Sequence, residues 1–218
     1  MTRTVTAFHS GPEGAKGNAR DMRVRWALEE AGLDYETRTI DFASHAQARS
    51  EGQPFGQIPN YRDGAIDMFE SGAIVLQIAD GCEALLPADP AARARALSWL
   101  FAALNTVEPT TWNLLMLHVI KPDWSDAARP SMNEAALGRL RTVSEALGDK
   151  DWLEGRFTVG DLMMVSVVRH VALIGIVDAF PNLMAYVKRG VAPIGLDDVE
   201  HQQVPRRRLD RVQGGEQP

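Results

Sequence analysis

The chain has 218 residues, 45% of them hydrophobic and 24% charged, a composition typical of a globular protein with a sizeable core. Its formal net charge of −6 argues against nucleic-acid binding, which needs a basic surface. The sequence has no apolar leader and no run of roughly 20 apolar residues, so we expect neither export nor membrane insertion. The single cysteine, Cys82, fits a reducing cytoplasm and excludes an internal disulfide.

The first half of the chain alternates strand and helix patterns in the order βαβ, then αββα. The dipeptide Asp63-Gly64 between two apolar runs predicts a hairpin, so the last two strands should be antiparallel and the four-stranded sheet mixed. The expected strands are 4–8, 35–40, one beginning at Pro59, and 65–69. The expected helices are 19–31, 45–50 and 71–79.

From Pro90 onward, apolar residues recur every three or four positions, which predicts an all-helical half. Thr158 and Asp161 form a capping box at the start of a central, buried helix. The expected helices are 91–118 with an interruption at Pro109, 132–147, 158–177 and 182–189. We therefore expect domains at 1–84 and 91–189, a short linker between them, and an irregular or divergent tail at 190–218.

Two segments of the first half predict a small-peptide site. Pro59 follows Ile58 at the mouth of a strand, where a cis peptide bond is plausible and the Ile58 backbone can pair with an extended peptide. Glu70 and Ser71 join a strand to a helix, which brings a carboxylate, a hydroxyl and free amides together. Taken singly, these residues are also typical of a strand-start proline, an exposed charge and a helix cap.

Together these motifs resemble the cytosolic glutathione S-transferase family over most of the chain. The resemblance rests on four segments in one order: Arg23–Leu33 with the following Tyr35 and Glu36, Pro54–Pro59, Glu70-Ser71, and 157–164. It implies a thioredoxin-like domain followed by an all-helical domain, glutathione as co-substrate, and usually a homodimer. It also implies that Ile58 and Pro59 clamp the cysteinyl part of glutathione, while Glu70 and Ser71 bind its γ-glutamyl group.

The group that would hold the glutathione thiolate departs from the family pattern. The family commonly uses a Tyr at the end of the first strand, or a Ser or Cys before the first helix, whereas here the strand ends in Phe8. The candidates are Asn18, at the expected helix start, and Ser10, in a glycine-rich loop. Asn18 is alternatively a plain helix cap with Asp21 three residues on. Arg20 is either a source of positive potential or a solvated charge.

The resemblance favours conjugation of glutathione to a small hydrophobic electrophile. The electrophile should lie between the domains, where Leu104, Trp112 and Leu115 either line its site or pack in the core. Two alternatives stay open: a non-catalytic binding or regulatory protein, for which the missing hydroxyl argues, and a glutathione-dependent isomerase. The five histidines are scattered without ligand spacing, so no metal site is expected.

Overall fold

The computed structural model describes residues 2–9, 18–41, 44–120 and 128–192. Over these residues, a mixed α/β half is followed by an all-helical half, as predicted. The strands and helices are β1 (Arg3–Phe8), α1 (Asp21–Glu30), β2 (Tyr35–Ile40), α2 (His45–Ser50), β3 (Asn60–Asp63), β4 (Ile66–Phe69), α3 (Ser71–Ala79), α4 (Pro90–Ala102), α5 (Glu108–Leu115), α6 (Arg129–Leu147), α7 (Val159–Ala172) and α8 (Pro181–Val191).

The four strands form one mixed sheet in the order β2-β1-β3-β4. Strand β1 runs parallel to β2, with Val5 opposite Thr37, and antiparallel to β3, with Val5 opposite Tyr61. The predicted hairpin joins β3 and β4, which are antiparallel, and Gly64 takes a φ of 61° in its turn. Glycine adopts this left-handed conformation without steric cost, which explains why the dipeptide Asp63-Gly64 correctly predicts the hairpin.

The core runs from the sheet into the helical half without a break. Val5 of β1, Val24 of α1 and Ile74 of α3 are all fully buried. Helix α7 is buried along most of its length and contacts α1 and α3 on one side and α4, α5 and α8 on the other. The prediction that this helix is central and buried is confirmed, and α7 is the element that joins the two halves.

The predicted capping box at the start of α7 is confirmed. The Asp161 carboxylate accepts hydrogen bonds from the Thr158 amide (3.0 Å), the Leu153 amide (2.9 Å) and the Tyr186 hydroxyl (2.9 Å). The Thr158 hydroxyl in turn accepts from the amide of Gly160. These bonds satisfy buried donors at the helix start and tie α7 to α8 through Tyr186.

The long helix predicted for 91–118 is interrupted, as expected from Pro109. Between α4 and α5 the chain forms a π-helical turn at Ala103–Val107, and a second one follows α5 at Met116–Ile120. Pro109 has no amide hydrogen, so it cannot donate the usual bond to the carbonyl of Asn105. The wider π turn lies just before the proline, in the part of the chain that faces the sheet half.

Two helices end at residues other than those predicted, and α6 begins at Arg129, three residues before its expected start at 132. Helix α7 ends at Ala172 rather than near Val177, because Gly175 takes a φ of 75° and a 3₁₀ helix at Ile176–Ala179 follows it. Helix α8 extends to Val191, two residues past its expected end. Residues 193–218 of the predicted tail lie outside the described residues, and the domain limits remain predictions. Within the described ranges, no helix is both long enough and apolar enough to cross a bilayer.

Two glycines in helices give opposite predictions for alanine substitution. A Cβ at Gly160 of α7 would lie 2.7 Å from the Trp99 Cβ and 3.0 Å from the Ala96 carbonyl, whereas a Cβ at Gly138 of α6 meets nothing within 4 Å. We expect Gly160→Ala to lower the free energy of unfolding by about 1–3 kcal/mol through overpacking. Gly138→Ala should raise it by about 0.5–1 kcal/mol, because alanine is the better helix former. Urea denaturation measures both, and a neutral Gly160→Ala would contradict the close packing of α4 on α7.

Candidate functional site

A cleft of about 260 Å³ lies between the two halves of the molecule. Its floor comes from the sheet half and one wall comes from the segment that joins α4 to α5. All four residues predicted to bind a peptide contribute to it. The lining residues are Arg20, Arg23, Gln53, Gln57, Ile58, Pro59, Glu70, Ser71, Gly72, Leu104, Asn105 and Glu108.

The Ile58-Pro59 peptide bond is cis, as predicted. The Ile58 side chain packs beside Ile40 and Ala48 in a small apolar cluster. Neither the amide nor the carbonyl of Ile58 has a hydrogen-bond partner within the described ranges, since β3 begins only at Asn60. The backbone of Ile58 therefore offers one donor and one acceptor to an extended ligand.

The junction between β4 and α3 has an unusual backbone conformation. Glu70 takes a φ of 70° although it is not a glycine, and it is the only non-glycine residue with a positive φ among the residues described. Such a conformation costs of order 1–3 kcal/mol and is found preferentially at ligand sites. It turns the chain so that Ser71 begins α3 at the cleft while the Glu70 side chain remains exposed.

Ser71 is buried and takes part in a network with charged side chains. Its hydroxyl oxygen accepts a hydrogen bond from Nη1 of Arg23 at 3.4 Å. Because the oxygen is the acceptor in this contact, the hydroxyl proton remains available to donate to an anion in the cleft. Two anion-binding features therefore coincide at Ser71: a hydroxyl donor and the N-terminus of α3.

A buried carboxylate on the helical wall binds two arginines of the sheet half. Glu108 accepts from Arg23 at 2.9 and 3.2 Å, and from Nη2 and Nε of Arg20 at 2.9 and 3.2 Å. The side chain of Arg23 is only 1% exposed. Burial raises the pKa of Glu108, but the charges and hydrogen bonds of Arg23 and Arg20 outweigh it, so the net pKa lies below the ordinary value. For Arg23, desolvation is the larger effect and lowers the pKa against the opposing charge of Glu108.

Arg20 is the cation that this network presents to the cleft. It is the N-cap residue of α1, and its side chain is 36% exposed. Its guanidinium lies 5.1 Å from the ring centre of Trp112, while Nε and Nη2 bind Glu108. Nη1 has no partner in the part of the chain that is described. A fixed positive charge therefore borders the cleft where α1 begins.

Of the two residues predicted to hold a thiolate, only Asn18 lies among the described residues, and it is absent from the cleft lining. Ser10 lies outside the described residues. Asn18 lines a separate cavity of about 20 Å³, and its carbonyl lies 2.6 Å from Nε2 of His170. Asn18 does not cap α1, because the helix begins at Asp21 with Arg20 at the N-cap.

His170 beneath Asn18 is a neutral imidazole. Burial, and then the charge of Arg23, lower its pKa to about 4, although the Asn18 carbonyl opposes the shift. A carbonyl can only accept, so Nε2 of His170 carries the proton and donates it to Asn18. This bond anchors the backbone just before α1 to the helical half.

The three residues expected near an electrophile have different positions. Leu104 lines the cleft and packs against Gly72, where a Cβ would lie 2.6 Å from the Leu104 Cδ1. Leu115 belongs to the hydrophobic core, which was the alternative to a role in lining the electrophile site. Trp112 packs between Arg20 and His170 and is absent from the cleft lining. Among the residues that the structure describes, no cluster of potential ligands suits a metal ion.

Comparison with known proteins identifies the family. A family model described as the glutathione S-transferase N-terminal domain matches residues 14–80. A glutathione S-transferase of Hyoscyamus muticus is 33% identical over 153 residues, which cover 65% of this chain and 72% of that protein. The glutathione S-transferase PARB of Nicotiana tabacum is 32% identical, over 68% of this chain and 76% of its own length. The chain belongs to the glutathione S-transferase family.

Solved structures agree with this fold. A glutathione transferase of Burkholderia graminis, crystallised with two glutathione molecules bound per subunit, superposes with a TM-score of 0.76 at 22% identity, covering 91% of this chain and 87% of its own. Poplar glutathione transferase F1 gives a TM-score of 0.75 at 21% identity, covering 91% of this chain and 96% of its own. The predicted order of a thioredoxin-like half followed by a helical half is therefore confirmed.

In the helical wall of this transferase-family cleft, the sequence predicted Leu104 but neither Asn105 nor Glu108. Glu108 is 85 positions from Arg23, and no local pattern distinguishes it from other acidic residues at a helix start. Asn105 was missed for the same reason. Gln53 and Gln57, in the same segment as Ile58 and Pro59, also line the cleft.

Removing the charge of Glu108 should destabilise the protein in a pH-dependent way. Since the folded pKa of Glu108 lies below its unfolded value near 4.5, its stabilising effect is present above that pH and is lost as pH falls through the folded pKa. We expect Glu108→Gln to lower the free energy of unfolding by about 3 kcal/mol at pH 7, because the buried guanidinium of Arg23 and the partly exposed one of Arg20 lose their counter-charge. The difference from the unmodified protein should shrink below pH 4, as measured by urea denaturation across pH.

The exposed pair between Asp151 and Arg189 supplies the control. The Asp151 side chain is 70% exposed, so Asp151→Asn should change stability by no more than about 0.5 kcal/mol at any pH. Equal effects of the two substitutions at pH 7 would contradict a special role for the buried carboxylate.

Proposed function

We propose that this member of the glutathione S-transferase family binds glutathione in the cleft and conjugates its thiolate to a small hydrophobic electrophile. The observation that carries the proposal is the meeting of Ile58-Pro59 and Glu70-Ser71, two separate segments, in one cleft beside the Arg20 cation. Because glutathione is kept reduced in the cytoplasm, we expect the protein to act there.

The middle of the tripeptide would bind to the backbone of Ile58. The unpaired amide and carbonyl of Ile58 suit the main chain of the cysteinyl residue, which would lie as a short added strand. Such pairing fixes the direction of the peptide but places no demand on its side chain. The thiol is thereby left free to face the start of α1.

The γ-glutamyl end would bind where α3 begins. The Ser71 hydroxyl and the first amides of α3 suit its α-carboxylate, and the exposed Glu70 carboxylate suits its α-ammonium. Both charges of the amino-acid head would then have an opposite charge or a donor beside them. This arrangement supports the roles that the family resemblance assigns to Glu70 and Ser71.

Activation of the thiol requires a group that favours the thiolate, because a free thiol near pKa 8.5 is mostly protonated at neutral pH. Arg20 supplies positive charge at the cleft, and a cation within about 4–6 Å lowers the pKa of an acid. Asn18 and Ser10 remain the proposed hydrogen-bond donors, acting beside this charge. The electrophile would then approach past Leu104.

The decisive measurement is the pKa of bound glutathione, followed by thiolate absorbance during a pH titration. We expect the bound pKa to lie below the free value and to rise by about one unit in Arg20→Met, because the cation is lost. The rate of conjugation at pH 6.5 should fall in proportion to the thiolate fraction. Asn18→Ala and Ser10→Ala test the two donors in the same titration.

Arg95→Met is the control, since Arg95 is 57% exposed and pairs with Glu154, and neither residue belongs to the cleft lining. A normal thiol pKa in the unmodified protein with glutathione bound would instead favour a non-catalytic binding protein. That alternative has one supporting observation: Ser71 is the only hydroxyl among the cleft-lining residues described, and it is held by Arg23.

We also propose that the protein forms a homodimer through the surface beside β4. Phe55 is 63% exposed and Phe69 39% exposed, and their rings meet edge to face at 6.1 Å. β4 is the outer strand of the sheet, so these rings lie at its open edge. Aromatic residues are enriched at the cores of protein interfaces.

Phe55→Ser should therefore weaken self-association at least about 10-fold, because a buried aromatic residue commonly dominates an interface. Sedimentation equilibrium of the full chain measures the dimer dissociation constant. Met184→Ser is the matched control, since Met184 is 41% exposed on α8, a different element. A monomeric unmodified protein, or equal dissociation constants for Phe55→Ser and the unmodified chain, would refute this interface.

A further inference from the structure

His170, on the buried helix α7, reaches from the helical half to the segment that leads into α1. Its Nε2 lies 2.6 Å from the carbonyl oxygen of Asn18, a residue 152 positions earlier in the chain. The side chain of His170 is buried, and its neutral imidazole donates the Nε2 proton to this carbonyl. The bond therefore fixes the main chain two residues before Arg20, the cation that borders the cleft.

His170 is also connected to Arg20 through an aromatic neighbour. The imidazole meets the ring of Trp112 edge to face, with 5.9 Å between the ring centres. The guanidinium of Arg20 lies 5.1 Å from the centre of the same indole. One buried side chain thus contacts both the backbone that leads to Arg20 and the ring against which the Arg20 guanidinium packs.

On the sheet side, the same segment contacts the proposed peptide clamp. Ala19, between Asn18 and Arg20, packs against the small apolar cluster that contains Ile58. Residues 18, 19 and 20 therefore contact, in order, the helical half, the clamp and the cleft. A movement of this segment away from α7 would change the distance between the Arg20 charge and a peptide bound at Ile58.

We propose that His170 is a positioning residue for the proposed conjugation: its hydrogen bond to the Asn18 carbonyl holds residues 18–20 so that the Arg20 guanidinium faces the bound sulfur. This inference rests on the proposed function. Among the residues described, His170 does not line the cleft. Burial, and then the charge of Arg23, lower the pKa of His170 to about 4, so it carries no charge at neutral pH. Its effect on the thiolate must therefore come from the placement of Arg20.

The test separates the hydrogen-bond donor of His170 from its ring. His170→Phe keeps an aromatic ring beside Trp112 but has no donor for the Asn18 carbonyl, whereas the amide nitrogen of His170→Gln can take the place of Nε2. We expect the pKa of bound glutathione to rise by about 0.5 unit in His170→Phe and by less than about 0.2 unit in His170→Gln, because only the first variant releases the segment. The value of kcat at pH 6.5 should fall about 2- to 3-fold in His170→Phe, in proportion to the thiolate fraction.

Two further measurements distinguish positioning from a general loss of structure. S-methylglutathione has no ionisable thiol, so its affinity by isothermal titration calorimetry should change by less than about 2-fold in His170→Phe. In the double variant Arg20→Met/His170→Phe, the pKa of bound glutathione should equal that of Arg20→Met alone, because His170 acts through that cation. Additive shifts of the two substitutions would overturn the inference.

Tyr186→Phe is the matched control for the loss of a buried hydrogen bond. Tyr186 is fully buried on α8, donates to Asp161 at 2.9 Å and does not line the cleft. Its substitution should lower thermal stability but leave the pKa of bound glutathione unchanged. An equal rise in Tyr186→Phe and His170→Phe would overturn the inference.

His170→Asn is a second variant, available if the phenylalanine variant does not fold. Its amide nitrogen is too short to reach the Asn18 carbonyl, so we expect the same rise of about 0.5 unit as in His170→Phe. An unchanged thiol pKa in a folded variant that lacks the donor would overturn the inference while leaving the proposed function intact. A normal thiol pKa in the unmodified protein with glutathione bound would overturn the proposed function itself.

Discussion

The cleft depends on one carboxylate buried between the two halves of the molecule. Glu108 begins α5 in the helical half, and its two oxygens bind Arg20 and Arg23, both from the start of α1. Burying these charges is costly, so the network adds little net stability compared with an apolar contact of the same shape. Its effect is geometric, because each guanidinium is planar and accepts few orientations. One carboxylate thus sets the position of α1 against α5, and with it the width of the cleft.

The same network links the two regions of the cleft that would bind the two ends of the proposed ligand. Arg23 extends from Glu108 to the Ser71 hydroxyl, and Arg20 extends from Glu108 toward the open cleft. Two cations share one anion, so a net positive charge remains beside α1. The exposed carboxylate of Glu70 lies at the opposite end, where α3 begins. A ligand with a developing anion on its thiol and an ammonium on its head would be oriented by this charge distribution.

Local signals explain which parts of the fold could be predicted from the sequence. The hairpin at Asp63-Gly64, the capping box of Thr158 and Asp161, and the cis bond before Pro59 each depend on residues within a few positions of one another. The same holds for the pairing of Glu70 with Ser71 at a helix start. Their meeting in one cleft followed from the family resemblance, because spacing alone does not bring residues 58 and 70 together.

The features that the sequence did not predict depend on contacts between distant segments. The partner of Arg23 is 85 positions away, and Asn105 lines the cleft on a segment of the helical half whose Leu104 packs on Gly72. The early end of α7 likewise required the backbone of Gly175, which is one of several glycines in the chain. Asn18 shows the same limit. It lies near the start of α1, as predicted, but it lines the small cavity beside His170 and not the cleft. Its carbonyl is held by His170, a partner 152 positions away that no local pattern indicates.

The lack of a tyrosine at the end of β1, where Phe8 stands, and the ion network around Glu108 have a common consequence for the proposed catalysis. A hydroxyl stabilises a thiolate through one short, directional hydrogen bond, so its effect depends on the exact position of the sulfur. A guanidinium acts over several ångströms and stays protonated across the physiological range. If Arg20 carries the stabilisation, the thiolate needs only to lie near α1, and small shifts of the peptide along Ile58 are tolerated. The peptide would then be positioned by its contacts with the Ile58 backbone and with the start of α3. In that proposal the peptide contacts set the geometry, and Arg20, held by Glu108 and Trp112, supplies only the positive charge.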